Sequence, residues 1–308
     1  MDIALQVATI LAPIFIIAGV GYGWARIGMP FDNEMVTSLV TNLATPCLIF
    51  ATLANLEVSP GAFGEIAFGA ILCGVCFAIL GRIVLGFLKL PSHSYLPALM
   101  FPNTGNLGLP LCLFAFGPAG LALGLSVFTV ASFTQFTIGI ALAAGEWSLK
   151  RLLRTPIIYA LIAALIFMLT GTPAPKWLQN TTVLMGGVAI PLMLFALGVS
   201  LAQLRVTRLP LALGLSIVRV AGGFAIGWGV ATALNLDSAQ RGVLMIQATM
   251  PTAVFNYLFA MRYRRQPADV AGIIVMSTLI VFAILPLLLL LVLPGSDNLS
   301  DAFTPPAK

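Results

Sequence analysis

Charge is what this sequence has least of. Asp, Glu, Lys and Arg make up 8% of its 308 residues, while 60% are apolar and the mean hydropathy is +1.06. A soluble domain carries about 25% charged residues, so these values exclude an ordinary soluble enzyme and predict an all-α polytopic protein in the lipid bilayer. Histidine occurs once, as His93, in a loop. The four cysteines, Cys47, Cys73, Cys76 and Cys112, all fall inside apolar runs. Cys73 and Cys76 share a helix face, but a metal centre would lack further ligands, so they read as small core residues. No metal site, disulfide framework or cofactor is expected. No Asp or Glu falls at mid-span, which argues against a proton relay through buried carboxylates. The lack of clustered His, Asp or Cys argues against a membrane enzyme. No loop is long enough to be a signalling domain, which argues against a receptor. The net charge of +5 is scattered over short loops without aromatic interleaving, so it does not point to nucleic acid. The glycines around Gly19-Val20-Gly21 and Gly222-Gly223 follow no strand; they read as helix-packing devices rather than phosphate loops.

What the chain does have is long apolar runs. Ten are bounded by turn signals, at about 3–25, 35–55, 63–88, 95–115, 119–143, 156–171, 177–201, 209–234, 241–261 and 268–293. The first follows Asp2 rather than a basic segment and is long enough to span, unlike a signal peptide. Placing the N-terminus outside puts ten basic residues in the inner loops: Arg26, Lys89, Lys150, Arg151, Arg154, Arg205, Arg208, Arg262, Arg264 and Arg265. Only Lys176, Arg241 and Lys308 remain outside. That bias predicts the cytoplasmic (inner) membrane, with both termini on the non-cytoplasmic side. The tail 296–308, with Pro305-Pro306, reads as disordered.

Two of the runs are interrupted. The fourth carries Pro102-Asn103-Thr104-Gly105-Asn106-Leu107-Gly108-Leu109-Pro110, without any charge. Each proline removes a backbone donor and clashes one turn back. In hydrocarbon the freed groups need partners, so broken backbone is tolerated only inside protein or beside a wet cavity. The ninth run carries a counterpart, Thr249-Met250-Pro251-Thr252-Ala253-Val254-Phe255-Asn256, with Pro251 lying 149 residues after Pro102. Runs two and seven also correspond: Pro46 and Pro191, 145 residues apart, each precede a Phe-Ala pair at the same phase. Five spans per half is odd, so the halves enter the membrane from opposite sides. This predicts an inverted repeat with helices four and nine broken and crossing. The repeats would comprise 1–145 and 156–295, joined by a short cytoplasmic linker, 146–155.

The chemistry of such a crossover favours anions. Half-helix N-termini present partial positive charge and unpaired N–H groups. Asn103, Asn106 and Asn256 add amide donors, and Thr104 and Thr252 add hydroxyls. Some of these groups instead satisfy backbone freed at the breaks. Pro102, Gly105, Gly108, Pro110 and Pro251 shape the crossover itself. Sodium could bind on neutral oxygens of Thr45, Thr104 or Gln247. Arg219, about ten residues into the eighth run, either faces the cavity and attracts anions or snorkels inward along the helix, and close packing at Gly222-Gly223 suggests that it pairs with freed carbonyls.

These motifs, together with Phe259-Ala260, Tyr263 and Ile284-Leu285-Pro286, resemble the auxin efflux carrier family of secondary transporters. That family includes bacterial malonate- and malate-type carriers and the plant PIN proteins. The resemblance implies a fold like that of sodium/proton antiporters and bile-acid symporters. It implies a scaffold of spans 1, 2, 6 and 7, and a transport core of spans 3–5 and 8–10. It also implies elevator-type movement, a homodimer joined through the scaffold, and no enzymatic activity. The expected function is transport of a small organic anion, most simply efflux; a coupling ion, sodium or proton, stays open. The alternative is a sodium-coupled symporter of bile-acid-like solutes. Two departures limit the likeness to the plant proteins. The loop Glu146–Thr155 is short, and Asn256 stands where the plant pattern tends to have proline, so an indole-acid substrate does not carry over.

Overall fold

The computed structural model describes residues 3–55, 60–144, 156–170 and 172–293. The expected linker 146–155 and tail 296–308 lie outside the described residues. Among the described residues the protein is all-helical, apart from one isolated antiparallel bridge. Helix α1 is Ile3–Arg26, α2 covers 33–55, and α3 is Pro60–Phe87. Helix α4 is Ser92–Met100, α5 covers 104–116 and α6 covers 118–144. Then come α7, Pro156–Thr170, and α8, 176–203, which is jointed at Val188. The last four are α9, Leu209–Ala233; α10, Ser238–Thr249; α11, Phe255–Arg262; and α12, Pro267–Val292. Seven of the helical stretches among the described residues are long and apolar enough to cross a membrane.

Local chemistry sets the ends of these elements. Asp32 caps α2 by accepting from the N–H groups of Glu34 and Met35. Asp237 and Gln240 form a reciprocal capping box at the start of α10. Between α5 and α6 the chain turns at Gly117, whose φ of 66° suits a residue without Cβ, and Pro118 then restarts the helix.

The polarity is inverted relative to a soluble protein. Phe68, Ile71, Val75, Ile79 and Ile83 form an exposed apolar stripe along α3, at three- and four-residue spacing. Thr45, Asn103, Gln247, Thr249 and Ser277 are buried. This arrangement suits a hydrocarbon surround.

The broadest helix contacts fall into two groups. In one, α1 packs along α8, and α2 packs on α7 and α8. In the other, α9 packs on α10 and α12, and α3 on α4 and the α5–α6 stretch. Glycines permit the closest approaches. A Cβ on Gly198 would overlap the Ala18 carbonyl, one on Gly21 the Phe195 carbonyl, and one on Gly223 the Ala248 carbonyl. Gly19 and Gly23 have open space instead, so the close packing of α1 rests on Gly21.

Candidate functional site at the helix crossover

The centre of the molecule is built by two prolines. A residue preceding proline is pushed out of the helical region. Phe101, before Pro102, is extended (φ −103°, ψ 104°), and so is Met250, before Pro251 (φ −55°, ψ 149°). Helices α4 and α10 therefore end there, and the two extended segments pair with each other. The Asn103 N–H donates to the Pro251 carbonyl at 2.7 Å, and the Ala253 N–H donates to the Phe101 carbonyl at 3.0 Å. The pairing forms the antiparallel bridge between Pro102 and Thr252. Each broken segment thus satisfies backbone groups of the other.

Side chains complete the pairing. The Thr252 hydroxyl donates to the Ala98 carbonyl at 2.8 Å, and its N–H donates to Ser277 Oγ at 3.1 Å. Asn256 Nδ2 donates to the Phe101 carbonyl at 3.2 Å, and Asn256 Oδ1 accepts from Gln135 Nε2 at 3.1 Å. Arg219 Nη2 donates to the Ala248 carbonyl, in the last turn of α10, at 2.8 Å. Arg219 thus pairs with one of the freed carbonyls.

Asn103 differs from these. Its Oδ1 accepts from the Asn106 N–H at 3.2 Å and caps α5, while its buried Nδ2 has no hydrogen-bond partner. Asn103 borders a cavity of about 40 Å³. Thr104 and Asn106 line the same cavity, with Thr41 and Thr45 from α2, and Ser132 and Gln135 from α6. Phe128, Phe136 and Phe255 supply an aromatic wall, in which Phe136 and Phe255 meet edge to face at 5.3 Å. Among the described residues, the lining holds neither a carboxylate nor a cation. Helix α5 starts at this cavity, and Phe255, the first residue of α11, reaches it.

Three helices change their winding beside this cavity. Val40–Ala44 in α2, Thr104–Gly108 in α5 and Gln135–Gly139 in α6 are π-helical. Each contributes to the lining, through Val40 and Thr41, through Thr104, Gly105 and Asn106, and through Gln135 and Phe136. A π turn holds one more residue than an α turn and re-aims its side chains; such turns concentrate at functional sites. Pro46 follows the first of them, and its ring excludes regular helix bonding one turn back. Pro191 likewise follows the joint at Val188 in α8.

Sequence expectation and geometry therefore part in places. Asn103, Thr104, Asn106, Pro102 and Gly105 line the cavity. Thr252 and Asn256 do not; at 0% and 2% exposure their polar groups are committed to the crossover. Gly108 faces the Gln247 amide, and Pro110 opens the α-helical part of α5. Thr45 and Thr104 share the cavity, but Gln247 does not. Gln247 lines a larger, apolar cavity of about 270 Å³ between α3 and α6, on the other side of Thr104. Thr41, Ser132 and Gln135 were missed by sequence reasoning; the row of polar residues Ser126, Thr129, Ser132 and Gln135 in an otherwise apolar run is a signal that could have found the last two.

Away from the crossover, Asp269 in the first turn of α12 accepts from the Tyr95 hydroxyl at 2.6 Å and pairs with Arg208 at 3.1 Å. This contact fastens α4, α9 and α12 to each other.

Comparison with known proteins gives the same direction. A transporter of Methanothermobacter thermautotrophicus is 25% identical over 270 residues, covering 83% of this chain and 88% of its own length. A transporter of Methanocaldococcus jannaschii is 23% identical over 285 residues, covering 86% and 92%. The profile described as "Membrane transport protein" matches residues 6–146 and 140–289. With nearly the whole chain matched and a proline crossover at its centre, the protein belongs to this membrane transport family, that of the auxin efflux carriers.

Proposed function

We propose that the protein carries small organic anions, carboxylates such as malonate or malate, out across the cytoplasmic membrane. The observation that carries this reading is the cavity at the crossover. Its polar wall consists of neutral donors and hydroxyls, it lies at the start of α5, and the Asn103 Nδ2 donor beside it is buried and uncommitted. Half-helix N-termini favour negative charge. Neutral donors hold a carboxylate less tightly than an arginine fork, which suits a carrier that must release its cargo. Expelling one negative charge gains about 2.3 kcal/mol per 100 mV, so efflux needs no coupling ion.

In this reading the twelve helices make ten spans in two inverted halves, α4 with α5 and α10 with α11 each forming one broken span. The group of α1, α2, α7 and α8 is the scaffold through which two copies pair. The rest forms the core, and it slides against the scaffold in an elevator-type cycle. The cavity supports this division, because Met193 of α8, Ile157 of α7 and Thr41 of α2 face the crossover across it.

A thermal-shift screen of the purified full chain against mono- and dicarboxylates, with and without sodium, tests the proposal. Carboxylates should raise the melting temperature and their neutral amides should not, independently of sodium. A shift that requires sodium and appears with bile-acid-like solutes would instead favour the sodium-coupled symporter. No shift with any carboxylate would overturn the anion reading.

A further inference from the structure

Arg219 sits at 1% exposure in the middle of α9. Its guanidinium lies 4.1 Å from the Phe77 ring centroid and gives one hydrogen bond, to the Ala248 carbonyl. Its Nε and Nη1 have no partner, and the one ion pair among the described residues is the distant Arg208–Asp269 contact. An uncompensated charge at such depth is costly, and cations there are tied to function more often than to stability. The last turn of α10 offsets part of it, since a helix C-terminus carries about half a negative charge. The remainder is positive potential in a medium of low dielectric constant.

Its location is built in. Gly223 and Gly227 bring α9 against the backbone of α10 at Ala248 and Met245, which fixes the guanidinium at this level. Pro251, three residues beyond Ala248, accepts the Asn103 N–H. With three residue steps of about 3.8 Å and a hydrogen bond at each end, the guanidinium is therefore within roughly 20 Å of the amide that borders the cavity.

We propose that Arg219 is the fixed counter-charge of the transported anion, acting through the crossover without touching the cargo. This rests on the anion-carrier reading above. Across roughly 20 Å, at an effective dielectric constant of about 20, one unit charge strengthens binding of a monoanion about fourfold. The same cation moves with the core, so a core loaded with a monoanion carries no net charge from the pair.

The test uses a charge series of similar shape: malonate, malonamate and malonamide. Binding to the purified full chain is measured for the wild type and for Arg219→Gln. Malonate should weaken about fifteenfold, malonamate about fourfold, and malonamide not at all. A wild type that binds malonamide as well as malonate removes the anion reading itself. A wild type that prefers malonate, with a variant that weakens all three equally or none, overturns the role of Arg219 alone. Should Arg219→Gln fail to fold, the wild type decides. In proteoliposomes, malonamate-for-malonamate exchange should run at the same rate with and without an imposed negative-inside potential. An exchange rate that changes severalfold with the potential overturns the proposal.

Discussion

Asn103 divides its amide between two tasks. The oxygen holds the first turn of α5, and the nitrogen is left beside the cavity. Replacing it with alanine removes both a cap and the unpartnered donor beside the cavity. A hydrogen bond to a charged group contributes about 1.5–3 kcal/mol, so Asn103→Ala should weaken carboxylate binding about 10- to 100-fold in titrations of the purified protein. Asn106→Ala, whose backbone stays capped, should weaken it less and leave the melting temperature unchanged. Wild-type affinity in both variants removes these residues from the site. The sequence disclosed that Asn103, Asn106, Thr252 and Asn256 are polar groups at a break in a lipid-embedded chain. It did not disclose the division of labour, because donors freed by side chains and acceptors freed by prolines look alike until their pairing is known. Thr252 and Asn256 turned out to serve the carbonyls of Ala98 and Phe101, and Gln135 reaches the cavity from a helix that carried no break signal.

At the scale of elements, the interruptions were legible because proline acts locally. Both crossover prolines bias the residue before them out of the helix, and Phe101 and Met250 follow that bias, whereas Pro13, Pro97 and Pro286 sit inside continuous helices. Pro251→Ala relaxes that constraint and adds an N–H in a buried position. Transport in proteoliposomes should fall at least severalfold while the protein still reaches the membrane; unchanged uptake and efflux rates would count against the crossover as the working part. The π turns were not legible, since one extra residue in a winding leaves composition and spacing almost unchanged. The glycines were legible only as a class. Gly198→Ala places a methyl group against the Ala18 backbone and should cost about 1–3 kcal/mol, read as a melting temperature lower by several degrees. Gly19→Ala, with nothing within 4 Å, should leave it unchanged. Equal effects would mean that the α1–α8 contact is looser than its geometry.

For the whole molecule, the expected orientation rests on charge counts over loops, and no fold detail enters it. Lys89 and Asn235 are both exposed, at opposite ends of the helices. A membrane-impermeant maleimide should label Lys89→Cys only in inverted vesicles and Asn235→Cys only in right-side-out vesicles; the reverse pattern would invert the whole arrangement. The apolar exterior was readable from composition, whereas the grouping of α1, α2, α7 and α8 was expected only through the family resemblance, because its contacts join residues far apart in sequence. A cavity of about 40 Å³ has room for two or three water molecules, too few to make way for a malonate-sized guest. Cargo must therefore find a rarer, wider arrangement, and the measured affinity will be the intrinsic one diluted by how seldom that arrangement occurs. Compounds that wedge Phe128 and Met193 apart escape that dilution. Among ligands found by binding alone, the tightest should be the ones that jam the carrier and are never moved.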